Sequence, residues 1–555
     1  MNKVFNNVAG NRPSLNRFDL SYTNITSMSL GYLYPVQCDE VYPNSVWKMS
    51  AFCHAEVASM IRPLMSDLQL FAHVFFVPYR LLYGVDAEDG QPIWEKFITG
   101  GKTGDYDTPL PAWNPSDESS VGFSSKLIWD YIGNPMSYNS LSGTWSPLCP
   151  DDDVLSVSIA PKRAYNFIVN EYYRDENLQE ERDLDTEDLF VVSFKKDYFT
   201  SALEDQQRGT SPALPVNITI EGNSAYPVSF LNNPNDSDEF KMTSSNSYVG
   251  LLPVGTNPSY NLRGLSVPNN DAETSNSSGY SFITASVTPN ISATATSFTP
   301  AELRLAFAIQ RMMELSQRAG YRYTEFLQAT FNASPTDSRL DRPEYIGGCI
   351  MPISVSPLVQ TSETSTTPQG NKSGIGHVDS VQKLGNYRVL EHGLIMTLVS
   401  IRPKPIYQQG INRQWLRQGR WDFYDPALAF LSEQNVYGAE LFVDGLPITD
   451  EHPVNKSDKG TFGYQAHWNE MRCKNNIITG AVREQLEYYA LGRKFANRPA
   501  LNSDFLQIKD SDFSYIFAVQ NEDHFVVSWS SLIDAYLPLP QFGAPGLIDH
   551  VYGGY

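Results

Sequence analysis

LQLFAHVFFVPY, residues 68–79, decides how the rest of the chain is read. It is apolar on both of the faces that a period of two would separate, is rich in aromatic side chains, and ends at Pro78 and Tyr79. A membrane helix needs roughly 20 apolar residues, so a run this short reads as a strand covered on both faces. HGLIMTLVSI, residues 392–401, has the same character and stops before Arg402 and Pro403. Nearer the C-terminus Phe513, Tyr515, Phe517 and Val519 alternate, the polar stretch 520–524 follows, and Phe525, Val527 and Trp529 resume the alternation. Two alternating runs about a short polar turn predict a β-hairpin with one buried face. These strands lie far apart in sequence, so the sheet depends on long-range pairings, the pattern of a Greek-key or jelly-roll body.

The composition agrees with a mainly β fold. Of 555 residues 41% are hydrophobic and 12% aromatic, and Gly and Pro each occur 36 times, which supplies a β surface with frequent turns. A single core rarely grows past roughly 250–300 residues, so the length calls for two domains or one core with large surface elaborations. Lys and Arg total 41 against 62 Asp and Glu, a formal charge of −21. Such a chain resists non-specific adsorption to nucleic acid or anionic membrane, and if it encloses DNA another basic component must neutralise much of the phosphate. Cys38, Cys53, Cys149, Cys349 and Cys473 are odd in number and scattered, which predicts free thiols in a reducing compartment rather than a disulfide framework or a zinc knuckle. The polar first thirty residues lack the apolar core of a secretory signal, and no membrane span is predicted.

From 211 to 300, 51 of 90 residues are Ser, Thr, Asn, Pro or Gly. That composition cannot build a large core, yet Ile218 and Ile220, or Leu251 and Leu252, favour short strands within an ordered or semi-ordered surface excursion. A helix is expected immediately afterwards, with Thr299 as N-cap, Pro300 in the first turn, Glu302 closing a capping box, and Phe298 facing Leu303 as a hydrophobic staple. Leu303, Phe307 and Met313, widened by Ile309 and Met312, mark its apolar face, and Gly320 its end. Residues 84–150 and 332–390 read as long loops.

Catalytic and cofactor signals are weak. GGKT at 100–103 resembles the end of a phosphate-binding loop, but Lys96 stands where the pattern needs its first glycine. No GxSxG elbow or HExxH occurs, and His54 and His73, inside apolar segments, read as core histidines. Asp151, Asp152 and Asp153 read as a solvated turn rather than a cation site. The nine carboxylates of 171–188 could include a glycosidase pair, as would any stretch so acidic. No catalytic, cofactor or metal residue is assigned. One segment runs against the overall charge: IRPKPIYQQGINRQWLRQGR, residues 401–420, holds Arg402, Lys404, Arg413, Arg417 and Arg420, no acid, and Tyr407 and Trp415 between them. Cations interleaved with aromatics suit single-stranded DNA, but an Arg-rich subunit interface is the favoured reading, with a plain exposed loop as the third.

The resemblance of the chain to a known family rests on phrases in series. FDLS at 18–21, GYLYPV and DEV up to Val41, MSDLQLFAHVFFVPYRLL at 65–82 and WEKFITG at 94–100 come first. DYIGNP at 130–135, RAYNFIVNEYYRDENL at 163–178, LRLAFAIQRMMELSQRAGYRYTEFL and DSRLDRPEYIGG follow. HGLIMTLVSIRP, YQQGINRQW, DFYDPALAFLSEQ and FGYQAHWNEMRCKNNIITG complete the order. Taken together the chain resembles microvirus major capsid proteins of the gokushovirus-like branch, outside the insertions. It departs from them where Pro43-Asn44-Ser45 replaces a Pro-Gly-Asp turn and Tyr22 a His.

The resemblance implies a single eight-stranded antiparallel jelly-roll with long loop insertions and a few helices. Residues 1–200 would carry its N-terminal part with the 84–150 loops, 201–298 a surface insertion projecting near the threefold axes, and 299–555 the helix and the C-terminal part. It also implies a non-enzymatic role: assembly with itself into an icosahedral shell, in the cytoplasm of a host bacterium, around a circular single-stranded DNA genome. A small basic DNA-binding phage protein, a minor or pilot phage protein and a bacterial surface receptor would be partners, the last met through the insertion, with Tyr248, Tyr260 and Tyr280 as candidate contacts. The competing class is a secreted β-rich carbohydrate-binding protein or glycoside hydrolase, which would explain the aromatics but not the missing signal peptide, the odd thiols or the absent catalytic motif.

Overall fold

The computed structural model describes residues 15–541 except 87–89, 100–108, 114–125, 134–135, 140–143, 148–156, 212–217, 222–228, 231–284, 287–291, 296–299, 320–327, 330–335, 365–367, 444–459 and 521. The chain forms two compact units, one of residues 1–209 with 313–555 and one of residues 210–312.

The larger unit is built on nine antiparallel strands: β1 (Asn16–Asp19), β2 (Tyr22–Met28), β3 (Leu33–Val41), β4 (Val46–Val57), β5 (Leu68–Pro78), β6 (Glu344–Val359), β7 (Lys372–Arg388), β8 (Gly393–Pro403) and β9 (Phe525–Leu537). Their order is β1-β9-β4-β7-β6-β5-β8-β3, with β2 also pairing β9. β1 and β2 occupy successive lengths of β9, at Leu537–Asp534 and Ser531–Phe525, so the sheet has eight strand positions. Reading β2 to β9 in chain order, one half pairs as β2-β9-β4-β7 and the other as β3-β8-β5-β6, which is the jelly-roll arrangement. β6 joins the halves: its first part pairs with β5 up to Ile353, and from Ser354 onward it pairs with β7.

The two halves bury differently, and the sequence patterns follow from that. In β4 and β9 every second residue is buried and the intervening residues are at least partly open to solvent. β5 and β8 are buried almost throughout. Their second face is covered by the helix Ala160–Ile168 and the single π-turn Val169–Tyr173 that continues it. Tyr165 donates to the Leu33 carbonyl (2.8 Å) and accepts from the Phe190 amide (2.9 Å), while Tyr172 and Tyr173 pack on Phe75. This cover is why 68–78 and 392–401 read as continuous apolar runs.

A curled sheet leaves two free edges, here β2 and β3, and unpaired edge groups must be satisfied. A bulge at β3 pairs Gln37 with Thr397 and Pro35 with Leu398, leaving Val36 out of the ladder, and the Asn24 amide of β2 donates to the Val36 carbonyl (3.1 Å). Gln37 is 2% exposed. Its carbonyl accepts from Thr397 Oγ1 of β8 (2.9 Å) and Ser531 Oγ of β9 (3.1 Å), and its amide donates to Asp39 (2.7 Å). One side chain thus ties both halves of the body across the seam. The turn from β3 to β4 places Asn44 at φ 65°, a left-handed conformation that Asn tolerates better than most residues.

Three expectations are corrected. Residues 344–388 are not loop but β6 and β7, each with a bulge, between Tyr345 and Gly347 and between Lys383 and Gly385. The bulges abut so closely that a Cβ on Gly347 would lie 2.0 Å from the Leu384 carbonyl oxygen, so glycines that look like turn residues are required by close packing. The hairpin arm at 513–519 is instead two 3₁₀ turns, 510–512 and 514–516. Ile516 breaks the alternation, and Phe513, Ile516 and Phe517, at helical-turn spacing, are the buried residues while Val519 is exposed. His54 is not a core residue: it lies on the open face of β4, bonded to Asp379 of β7 (2.6 Å).

The helix expected after the polar segment spans Pro300–Ala319, but Phe307 and Met312 of its apolar face are exposed. In the smaller unit Ile218–Glu221 pairs with Ser292–Ala295, and Ser229–Phe230 with Ser286–Ala285. Leu251, Leu252 and Thr299 lie outside the described residues.

Two predictions follow from the body. Gln37→Leu leaves the Thr397 and Ser531 hydroxyls without their buried acceptor and should destabilise the subunit by about 2 kcal/mol, read as a lower melting temperature. His73, bonded to Tyr173 (2.8 Å), is held at about 4 by burial and then by Arg402. The unfolded chain takes up that proton near pH 6.5, so the stability His73 contributes is intact above that pH and is lost as pH falls towards 4, by about 3 kcal/mol at most. Denaturation curves at stepped pH should therefore flatten in this window for His73→Gln.

Candidate assembly and nucleic-acid surface

Two connections of the jelly-roll are long, β5 to β6 and β8 to β9, and they meet in a second core of Tyr198, Phe199, Tyr407, Val436, Phe462 and Phe505. Tyr407 donates to Asp197 (2.7 Å), and Arg493 lies over Phe194, Phe495 and Phe505, with ring centroids 4.1–5.2 Å away. The basic segment 401–420 opens the second of these connections, so most of its side chains are surrounded by other parts of the subunit.

The structure brings four of its five cations to partners inside the subunit. Arg402 stacks over Phe71 (4.9 Å) and Tyr173 (5.7 Å) and donates to Ser400 (2.9 Å); burial lowers its pKa. Lys404 pairs with Asp67. Arg413 donates to Glu440 (3.0 Å) and the Asn435 carbonyl (2.6 Å) and lies over Tyr437. Arg417 donates to Glu470 (2.7 Å) over the Trp468 ring. Burial raises the Glu440 carboxyl. Burial acts on Glu470 in the same direction but is outweighed by hydrogen bonds, among them those of Gln434 and Arg417, which hold it below the usual range. The segment lacks acids of its own because its acids arrive from residues 67, 440 and 470. The Arg420 side chain is exposed and has no bonded partner among the described residues, and Trp415 is 74% exposed. Tyr248, Tyr260 and Tyr280 lie outside the described residues, as do 100–103 and 151–153.

What the cations leave at the surface is aromatic. Trp421, Phe423, Tyr424, Phe430 and Leu431 are all exposed, just beyond the segment singled out by charge. Trp421 stands on, and the others lie within three residues of, short 3₁₀ turns that polar side chains cap, Arg420–Asp422 and Pro426–Leu428. Asn412 accepts from the Gln414 amide (3.1 Å), Asp422 from the Gln418 and Gly419 amides (2.9 Å each), and Asp425 from the Ala427 amide (2.9 Å). A signal was present in DFYDPALAF: apolar residues among Asp and Pro caps follow neither the strand nor the helix period, so no regular element could bury them. Four acids of 171–188 serve as ion-pair partners, Glu187 bonded to Lys162 (3.1 Å), Asp185 to Arg163 (2.8 Å), Asp175 to Lys196 (2.5 Å) and Glu171 to Arg342 (3.4 Å). Among the described residues no three His, Cys, Asp or Glu side chains form a group that could hold a metal ion.

Glu470→Ala should cost about 3 kcal/mol by stranding the buried Arg417 and loosen the connection between β8 and β9 to proteolysis. Arg420→Gln should stay within about 0.5 kcal/mol of the parent chain. Calorimetry of the two variants side by side checks the distinction.

The model of the capsid protein (F protein) family matches residues 6–547. Capsid protein VP1 of Chlamydia phage 1 is 31% identical over 599 residues, covering 96% of this chain and 95% of that one. The VP1 capsid protein of Bdellovibrio phage phiMH2K is 28% identical, covering 88% and 87%, and that of Spiroplasma virus 4 is 28% identical, covering 98% and 97%. A jelly-roll body with two long connections, matched over almost its whole length to this family, places the chain among the microvirus major capsid proteins, structural subunits and not enzymes.

Proposed function

We propose that this capsid protein tiles a small icosahedral shell around a circular single-stranded DNA genome and meets the host through residues 201–298, an insertion near the threefold axes. The observation that carries the reading is the division of labour in the larger unit. A closed jelly-roll holds its own edges together, and its two long connections are left to face other molecules. On this reading residues 1–200 and 299–555 supply the body, and the 84–150 loops are among the subunit contacts. Arg420 and Trp415 are the members of 401–420 best placed to touch DNA. Arg402, Lys404, Arg413 and Arg417 act by fixing the connection that carries them.

A charge of −21 makes a small basic DNA-binding phage protein a necessary companion for packaging. A minor or pilot phage protein and a bacterial surface receptor complete the expected partners. The unpaired thiols of Cys38, Cys53, Cys349 and Cys473 fit assembly in a host cytoplasm. No helix among the described residues is long and apolar enough to cross a membrane.

Replacing 211–295 by a short Gly/Ser linker tests the insertion, because loop-closure cost grows only slowly with length. Intact particles in electron micrographs that no longer adsorb to host cells are the expected result. Normal adsorption would reduce the segment to decoration, and failed assembly would make it part of the shell contacts.

A further inference from the structure

The connection between β8 and β9 carries an apolar knob and, close by in sequence, a hole. Phe430 is 100% exposed, at the end of the capped turns described above. An open cavity of about 310 Å³ is lined by Leu416, Trp421 and Trp468, with Gln434, Asn435 and His467 among its polar walls. Trp468 is buried there at φ 64°, a costly conformation for a residue with a Cβ. Its indole N–H donates to the Leu428 carbonyl (3.0 Å), two residues before Phe430, so knob and hole are tied to one framework.

We propose that this face is a contact between copies of the chain, with Phe430 of one copy seated in the Leu416–Trp421–Trp468 cavity of the next. The inference rests on the shell-building reading and names the surface that performs it. A cavity of roughly 150 Å³ accommodates benzene, so this one has room for a phenyl ring and displaced side chains. Arg413 and Arg417, which also line it, pair with Glu440 and Glu470, Glu433 pairs with Arg318, and Asp422 accepts the Gln418 and Gly419 amides, so each charge of the wall already has a partner within the subunit. Exposed aromatics beside a cavity whose charges are already partnered suit an interface, where aromatic residues and Arg are enriched. The capped turns hold Phe430 before contact, so little ordering is lost on association. A knob and a hole on different parts of one surface make a head-to-tail contact, which closes into a ring about a rotation axis. A DNA base stacked on Trp421 is the competing occupant. Phosphate recognition would need free cations, and of the five in 401–420 Arg420 alone is unbonded among the described residues.

The test uses full-length chain assembled with its viral partner proteins. Phe430→Ala should lower shell yield by about tenfold or more while the circular dichroism of the subunit is unchanged, and Phe430→Leu should recover most of the yield. In shells of the double variant Phe430→Cys, Leu416→Cys, mild oxidation should give dimers and longer chains on non-reducing gels. They should be absent from either single variant and reversed by reductant. Intact double-variant shells without cross-links, or Phe430→Ala shells of normal yield and thermal stability, would overturn the contact while the shell-building reading stands. Phe430→Ala shells that form normally but retain less DNA would assign the face to the genome instead. If the parent chain with its partner proteins gives no shells, the shell-building reading falls and this contact with it.

Discussion

A sheet that curls over itself has to deal with its two edges, and in this protein that requirement governs the rest. β2 and β3 do not pair by a backbone ladder along the seam; side chains do the joining, with Gln37 at the centre, bonded to β8 and β9 at once. The seam is short of hydrogen bonds by comparison with a closed barrel, but those of Gln37 to Thr397 and Ser531 are buried, where an unmet partner is expensive. The same region is linked to the covering helix, since the Leu33 carbonyl at the start of β3 accepts from Tyr165. Edge, core and cover are therefore held by one set of contacts.

With the body closed in this way, the two long connections are free to vary without opening it. They pack on each other through the second core, and their buried ion pairs are local to them: Arg413 with Glu440, Arg417 with Glu470. A buried pair of this kind is a weak source of net stability and a strong source of specificity, because only one arrangement satisfies both charges. Here it fixes the capped turns that hold Trp421 and Phe430 out from the surface. The acidic excess of the chain has the same consequence at larger scale. Four of the five cations of the basic segment are engaged within the subunit, which leaves Trp415 and Arg420 exposed, with Trp421 and Phe423 just beyond them.

Much of this was legible in the sequence. The runs at 68–78 and 392–401 announced strands covered on both faces, the alternation from Phe525 announced a half-buried strand, and Pro300 began a helix where the capping residues predicted one. The failures share a cause. Residues 344–388 read as loop because what their glycines serve, close approach of two bulges from different halves of the body, involves a neighbour many residues away. Phe513 and Phe517 fitted a period of two only because Ile516, the third residue of that buried cluster, was passed over. The basic segment appeared free to meet phosphate because its counter-charges are supplied by Asp67, Glu440 and Glu470.

What the sequence by itself determined is what depends on near neighbours: strand character, helix start, turn positions, overall charge, and the order of phrases that marks the family. Tertiary structure alone decided which sheet face is covered, which glycines are compulsory, which cations are already neutralised and which aromatics are left outside. The physical reason is range. Period and capping act over a few residues of one chain segment, whereas burial, ion pairing and close packing are set by whatever the fold brings alongside, and in a jelly-roll those neighbours come from the far ends of the chain.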